Sequence, residues 1–95
     1  MPDDLRPKEN IFWIPVEKIK PNPYQPRVEF DEAALKGLAE SIRQYGILQP
    51  LVVTRAERET ETGTYVEYEL VAGERRFRAS QMIGLTEVPV IIRKD

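Results

Sequence analysis

Apolar positions come in short runs along this chain, and their period changes from one segment to the next. Ile11-Phe12-Trp13-Ile14 is short and wholly apolar, which predicts a strand that Pro15 ends or holds at a sheet edge, since proline brings no N–H to a ladder. Further on the period becomes helical. Leu35, Leu38, Ala39 and Ile42 recur at i, i+3, i+4 and i+7, one apolar stripe on a helix. Asp31 is placed to cap that helix, Glu32 suits its first turn, Phe30 could begin a hydrophobic staple, and Gly46 stops it after Tyr45.

The β-branched run Leu51-Val52-Val53-Thr54 predicts a strand, Thr64 to Val71 a second, and the polar stretch Glu57 to Gly63 a loose hairpin tip between them. Arg75 to Ile83 reads as a helix closed by Gly84, and Glu87 to Ile92 as a closing strand. The order is strand, proline-rich loop, helix, strand, strand, helix, strand. It predicts an α+β fold, a small mixed sheet with two main helices and no internal repeat.

Two segments fall outside this pattern. Residues 1–10 are polar and carry Pro2 and Pro7, so a flexible N-terminal segment is expected, with the folded domain spanning 11–95. In Pro21-Asn22-Pro23-Tyr24-Gln25-Pro26-Arg27, prolines at alternate positions forbid helix and preset an extended path. A stiff loop loses little entropy when held against a ligand, although the same residues could serve as a plain spacer.

Composition narrows the function. The chain has 95 residues, enough for one domain, with 41% apolar and 32% charged residues, the balance of a globular fold. It has neither cysteine nor histidine, which removes disulfides, thiol chemistry, Cys/His zinc sites and Ser-His-Asp catalysis. No apolar run approaches the length of a membrane span, and no apolar signal segment opens the chain, so a cytoplasmic protein without membrane contact is expected. The net charge of −2 lacks the global basic footprint of a DNA-binding surface. Charge is uneven, however: Arg55 to Glu69 holds five Glu and two Arg, whereas Glu74 to Arg78 holds three Arg and one Glu.

That second cluster is the main chemical signal. Gly73-Glu74-Arg75-Arg76-Phe77-Arg78 follows the strand residues Tyr68 to Ala72 and opens the second helix. A helix N-terminus already presents unpaired N–H groups and partial positive charge, so arginines crowded there suit an anion. Gly73 permits a sharp strand-to-helix turn, and guanidinium forks match phosphate oxygens. The alternative is a solvated basic face.

Taken together, Pro21 to Arg27, the helix end Tyr45-Gly46-Ile47-Leu48-Gln49-Pro50, Tyr68 to Arg78 and Gly84 to Ile92 resemble the N-terminal domain of ParB chromosome-partitioning proteins, from about Ile14 to Ile92. The resemblance implies a ParB/sulfiredoxin-type fold and a domain that binds CTP with Mg2+ as a nucleotide-gated clamp on DNA. It implies that Gly73, Glu74, Arg75, Arg76 and Arg78 lie on the triphosphate, and that Gln25 sits near the reacting phosphate or its attacking water. Gly46, Gln49 and Pro50 would shape the pocket for base and sugar, and Glu74 is the one candidate metal ligand. In the family a helical region follows, with a helix-turn-helix for centromere-like DNA and side chains for the metal; here the chain stops at Asp95. A fragment or a stand-alone domain is therefore expected, with DNA contact, homodimerisation and CTP hydrolysis belonging to a longer protein. Two other classes compete: a ParB-like nuclease, for which Glu74 alone is a thin metal site, and a protein-interaction domain with a structural arginine turn. Sulfiredoxin chemistry needs a cysteine that this chain lacks.

Overall fold

In the computed structural model, residues 10–21 and 31–94 are described. Their elements are β1 (Phe12–Pro15), a single 3-10 turn (Val16–Lys18), β2 (Ile19–Lys20), α1 (Glu32–Tyr45), β3 (Leu51–Thr60), β4 (Gly63–Ala72), α2 (Glu74–Met82) and β5 (Glu87–Ile92). The strands form one sheet in the order β1-β5-β3-β4-β2. β1 runs antiparallel to β5 and β3 antiparallel to β4, while β3 with β5 and β2 with β4 are parallel. This is the mixed sheet with two helices that the apolar pattern predicts, and β1 lies at its edge, as Pro15 requires.

Alternation along the strands defines the core. Leu51 and Val53 are fully buried, and with Ile14, Ile19, Leu70, Val88 and Val90 they build one apolar cluster on one face of the sheet. Phe77 reaches into that cluster from α2. Ala79, two residues further along α2, belongs instead to a second cluster with Leu35, Ala39 and Ile42 of α1. α2 therefore faces two ways, and the stripe on α1 packs against α2.

Local chemistry sets the helix ends. Asp31 accepts the Ala33 N–H at 3.0 Å as the N-cap of α1, and Gly46 N–H donates to Ile42 O at 2.7 Å at its end. After α2, Leu85 N–H donates to Ser80 O and Gly84 N–H to Gln81 O, a paired closure that satisfies carbonyls of the last turn.

One expectation needs correction. Glu57 to Gly63 is no loose tip, because β3 continues to Thr60 and β4 begins at Gly63, leaving only Glu61 and Thr62 in the turn. The polar residues pair across the strands. Arg58 Nε donates to Glu67 Oε1 at 2.6 Å, which raises the Arg58 pKa above its ordinary value, and Thr60 Oγ1 donates to Gly63 O at 2.9 Å. Val16 to Lys20, which carries no periodic signal, is structured as well. Ile19 and Lys20 form β2, pairing with Tyr68 and Glu69, and the buried Ile19 anchors it. Of the N-terminal segment and the proline-rich loop, only Asn10 and Pro21 are among the described residues; Gln25 and Phe30 lie outside them.

Phe77 is the side chain that fixes α2 to the sheet, so Phe77→Ala is expected to cost about 3–5 kcal/mol. Tyr65→Ala, on the exposed outer part of the hairpin, is expected to cost less than about 1 kcal/mol. Urea unfolding of both variants checks the contrast.

Candidate functional site

The corner between β4 and α2 is built on a missing side chain. Gly73 has φ 100° and ψ 27°, a left-handed conformation that side chains strain to adopt, and its carbonyl accepts the first helical bond from Phe77 N–H at 2.9 Å. A Cβ at this position would lie 2.6 Å from Leu51 Cδ2 and 3.4 Å from Arg76 Nη2. Because glycine caps α2, the cap residue supplies no side-chain acceptor to the first-turn N–H groups. They and the positive end of the helix dipole remain available to an acceptor.

The three arginines of this turn take different directions. Arg75 is exposed and has no hydrogen-bond or ion-pair partner among the described residues. Arg76 folds back across Gly73, and its Nη1 donates to Gln49 O at 2.6 Å and Pro50 O at 2.9 Å. Arg78 lies one turn below Glu74, with Nε 3.6 Å from Glu74 Oε1.

α2 consequently has a cleft on each side. One, of about 350 Å³, is lined by Glu74, Arg78 and Gln81 together with Glu17, Lys20 and Pro21. The other, also about 350 Å³, is lined by Arg76, Gly46 and Gln49 with Leu38, Ser41 and Ile42 of α1. Of the residues singled out in the sequence, Arg76 is thus brought together with Gly46, Gln49, Pro50 and Gly73, and Glu74 with Arg78. Gln25 lies outside the described residues.

Several cleft residues escape a reading of the sequence. Gln81 could have been found, being seven residues after Glu74 and three after Arg78 on one helical face. Lys20 could not, because its place depends on β2 pairing with β4 far along the chain. Among the described residues no three Asp or Glu side chains gather as a metal site. No described helix is long and apolar enough to cross a membrane.

The site's chemistry, basic groups and open amides at a strand-to-helix turn, suits a polyanion of phosphates. The family model of the ParB N-terminal domain matches residues 2–95. Stage 0 sporulation protein J of Bacillus subtilis is 46% identical over 87 residues, covering 92% of this chain and 28% of that protein. C-terminally truncated ParB of Caulobacter crescentus, complexed with CTP-gamma-S, superposes with a TM-score of 0.75 at 42% identity, covering 90% of this chain and 45% of that one. The same protein complexed to the centromeric parS site gives 0.72 at 43% identity, over 87% and 40% of the two chains. Sulfiredoxin of Arabidopsis thaliana gives 0.69 at 31% identity, over 90% and 86%. The chain therefore spans less than half the length of the partitioning proteins it matches.

Two glycines test the corner against an ordinary helix position. Gly73→Ala combines left-handed strain with a clash against Leu51 and is expected to destabilise the domain by about 1–3 kcal/mol. Gly37→Ala, within α1 and with nothing near its added Cβ, is expected to stabilise it by about 0.5–1 kcal/mol. Opposite shifts of the thermal midpoint are the measurement.

Proposed function

The chain belongs to the ParB N-terminal domain family, and on that premise we propose that it is a CTP-binding module serving a chromosome- or plasmid-partitioning protein in the cytoplasm. The observation that carries this reading is the glycine-capped first turn of α2, with Arg75 beside it, exposed and without a partner among the described residues. Backbone N–H groups of that turn meet phosphate oxygens, and Arg75 adds a charged fork. Arg78, held near Glu74, supplies further positive charge at the same helix end. Gly46, Gln49 and Pro50 form the side that meets base and sugar. The CTP-analogue complex of the Caulobacter relative supports the choice of nucleotide.

Mg2+ bound with a nucleotide spreads the negative charge of the phosphates, and it accepts one or two carboxylates alongside phosphate oxygens. Glu74 is the carboxylate of this turn that suits such a role; its other neighbour, Arg78, leaves it partly exposed. Gln25 is proposed to orient the attacking water when the longer protein hydrolyses CTP, a task for which a neutral amide is adequate. Sequence-specific DNA contact and homodimerisation are assigned to the longer protein, as the parS complex of the relative supports for DNA.

Calorimetric titration with CTP, ATP, GTP and UTP, with and without Mg2+, tests the reading. Arg75→Ala, an exposed change that keeps the fold, is expected to weaken CTP binding about tenfold or more, since one charge-assisted hydrogen bond is worth about 1.5–3 kcal/mol. Absence of nucleotide binding in the wild-type chain, or equal affinity in the variant, would favour a structural arginine turn instead. DNA binding by this chain alone is expected to be weak, indifferent to sequence and lost as salt rises, because its net charge of −2 supports few phosphate contacts. In the longer protein, Gln25→Ala is expected to keep CTP affinity and lose most hydrolysis; loss of both together would assign Gln25 to binding.

A further inference from the structure

We propose that the face of the sheet turned away from α1 and α2 is a docking surface for a basic amphipathic helix of a partner protein. The strand register identifies that face. Ile14 pairs with Val88 and Leu51 with Val90, and all four lie in the buried cluster that Phe77 of α2 enters. α1 packs in turn against α2, so both helices stand on that side. Side chains alternate along a strand, so the residues next to these point the other way. Trp13, opposite Pro89, and Val52, opposite Ile91, therefore share the second face, and none of them belongs to either apolar cluster. Trp13 is 62% exposed, with Val52 and Ile91 half-buried beyond it. The patch crosses β1, β5 and β3, which at the usual strand spacing makes it about 10 Å wide. That is roughly the diameter of one α-helix with its side chains.

Charge selects the occupant. The same sheet runs on into the β3–β4 hairpin. β5 accompanies β3 only to Val53, and β2 meets β4 only at Tyr68 and Glu69, so beyond them the hairpin is a two-stranded ribbon. Arg55 to Glu69 holds five Glu and two Arg, a net −3. Arg55 pairs with Glu57, and Arg58 with Glu67 and Glu69, while Glu59 and Glu61 have no partner among the described residues. Nucleic acid and anionic lipid are repelled by such a ribbon, and a second copy brings the same sign of charge. A helix with an apolar face for Trp13, Ile91 and Val52 and with Lys or Arg toward the ribbon complements both features. It would sit across the sheet from the first turn of α2, so the inference is independent of the nucleotide reading.

The probe is a synthetic helix of leucine and lysine, about five turns long, with its leucines on one face; a scrambled peptide of the same composition is the control. Trp13 is the one tryptophan of the chain, so its emission reports contact directly. The expected result is a blue shift of that emission, with the scrambled peptide bound at least tenfold more weakly at equal charge. Affinity for the labelled helix is expected to fall about tenfold in Trp13→Ala. A similar loss is expected in the double variant Glu59→Lys, Glu61→Lys, together with a smaller dependence on salt. Equal binding of helix and scrambled peptide, binding without a change in Trp13 emission, or unchanged affinity in Trp13→Ala overturns the proposal. So does a wild-type dimer in sedimentation that Trp13→Ala dissolves, since a second copy then covers the face, or a blue shift on phosphatidylglycerol vesicles without one on the helix. If Trp13→Ala does not fold, the double variant carries the test: retained affinity overturns the proposal, and lost affinity with a wild-type thermal midpoint supports it.

Discussion

Leu51 Cδ2 occupies the place where a side chain at residue 73 would begin, and the Arg76 guanidinium lies in contact beside it. That close approach is the constraint on which the rest of the domain depends. It lets β4 turn directly into α2, which seats Phe77 in the sheet cluster and turns Ala79 toward α1. It also brings the start of β3 under the first turn of the helix, where Arg76 can reach Gln49 and Pro50. A bulkier residue would have to displace a fully buried leucine. Packing and site geometry are the same contact seen from opposite sides.

The electrostatics follow from that geometry. Three like charges in one helical turn repel each other and oppose the helix dipole. The fold relieves this by sending Arg76 to backbone carbonyls and Arg78 to Glu74, which leaves Arg75 as the arginine of the turn with no partner among the described residues. The acids of the hairpin are handled separately. Glu67 and Glu69 flank Arg58 across the ribbon and are spent on strand pairing. The chain can thus have a net charge of −2 and still present a locally basic turn.

The apolar periodicity made most of the fold legible, because Leu35, Ala39 and Ile42 or Leu51 and Val53 mark buried faces that local spacing alone specifies. Polar positions were harder. The Arg58–Glu67 pair joins residues whose register is set only when the strands meet, so Glu57 to Thr60 looked like a loop. β2 is two residues long, too short for any period, and exists because β4 offers it an edge. For the site, the arginine cluster was conspicuous in the sequence, and the nearness of Gly46 to Pro50 came from the family resemblance. What could not be read was direction. Whether a guanidinium points to solvent, to a carboxylate or across a glycine depends on side-chain placement in three dimensions.

β1 and β5, the first and last strands, are hydrogen-bonded neighbours, with Phe12 opposite Val90 and Pro15 opposite Glu87. The pairing is antiparallel, so the chain enters and leaves the sheet at the same end of this strand pair. Sequence joined before Asn10 and sequence joined after Lys94 would therefore emerge side by side, and a pull on one would be felt directly by the other's strand. The arrangement also governs assembly. β5 supplies Val88 and Val90 to the core and separates β1 from β3, so the sheet cannot close until almost all of this segment has left the ribosome. Non-local pairing of this kind makes folding slow relative to a helical bundle of similar size.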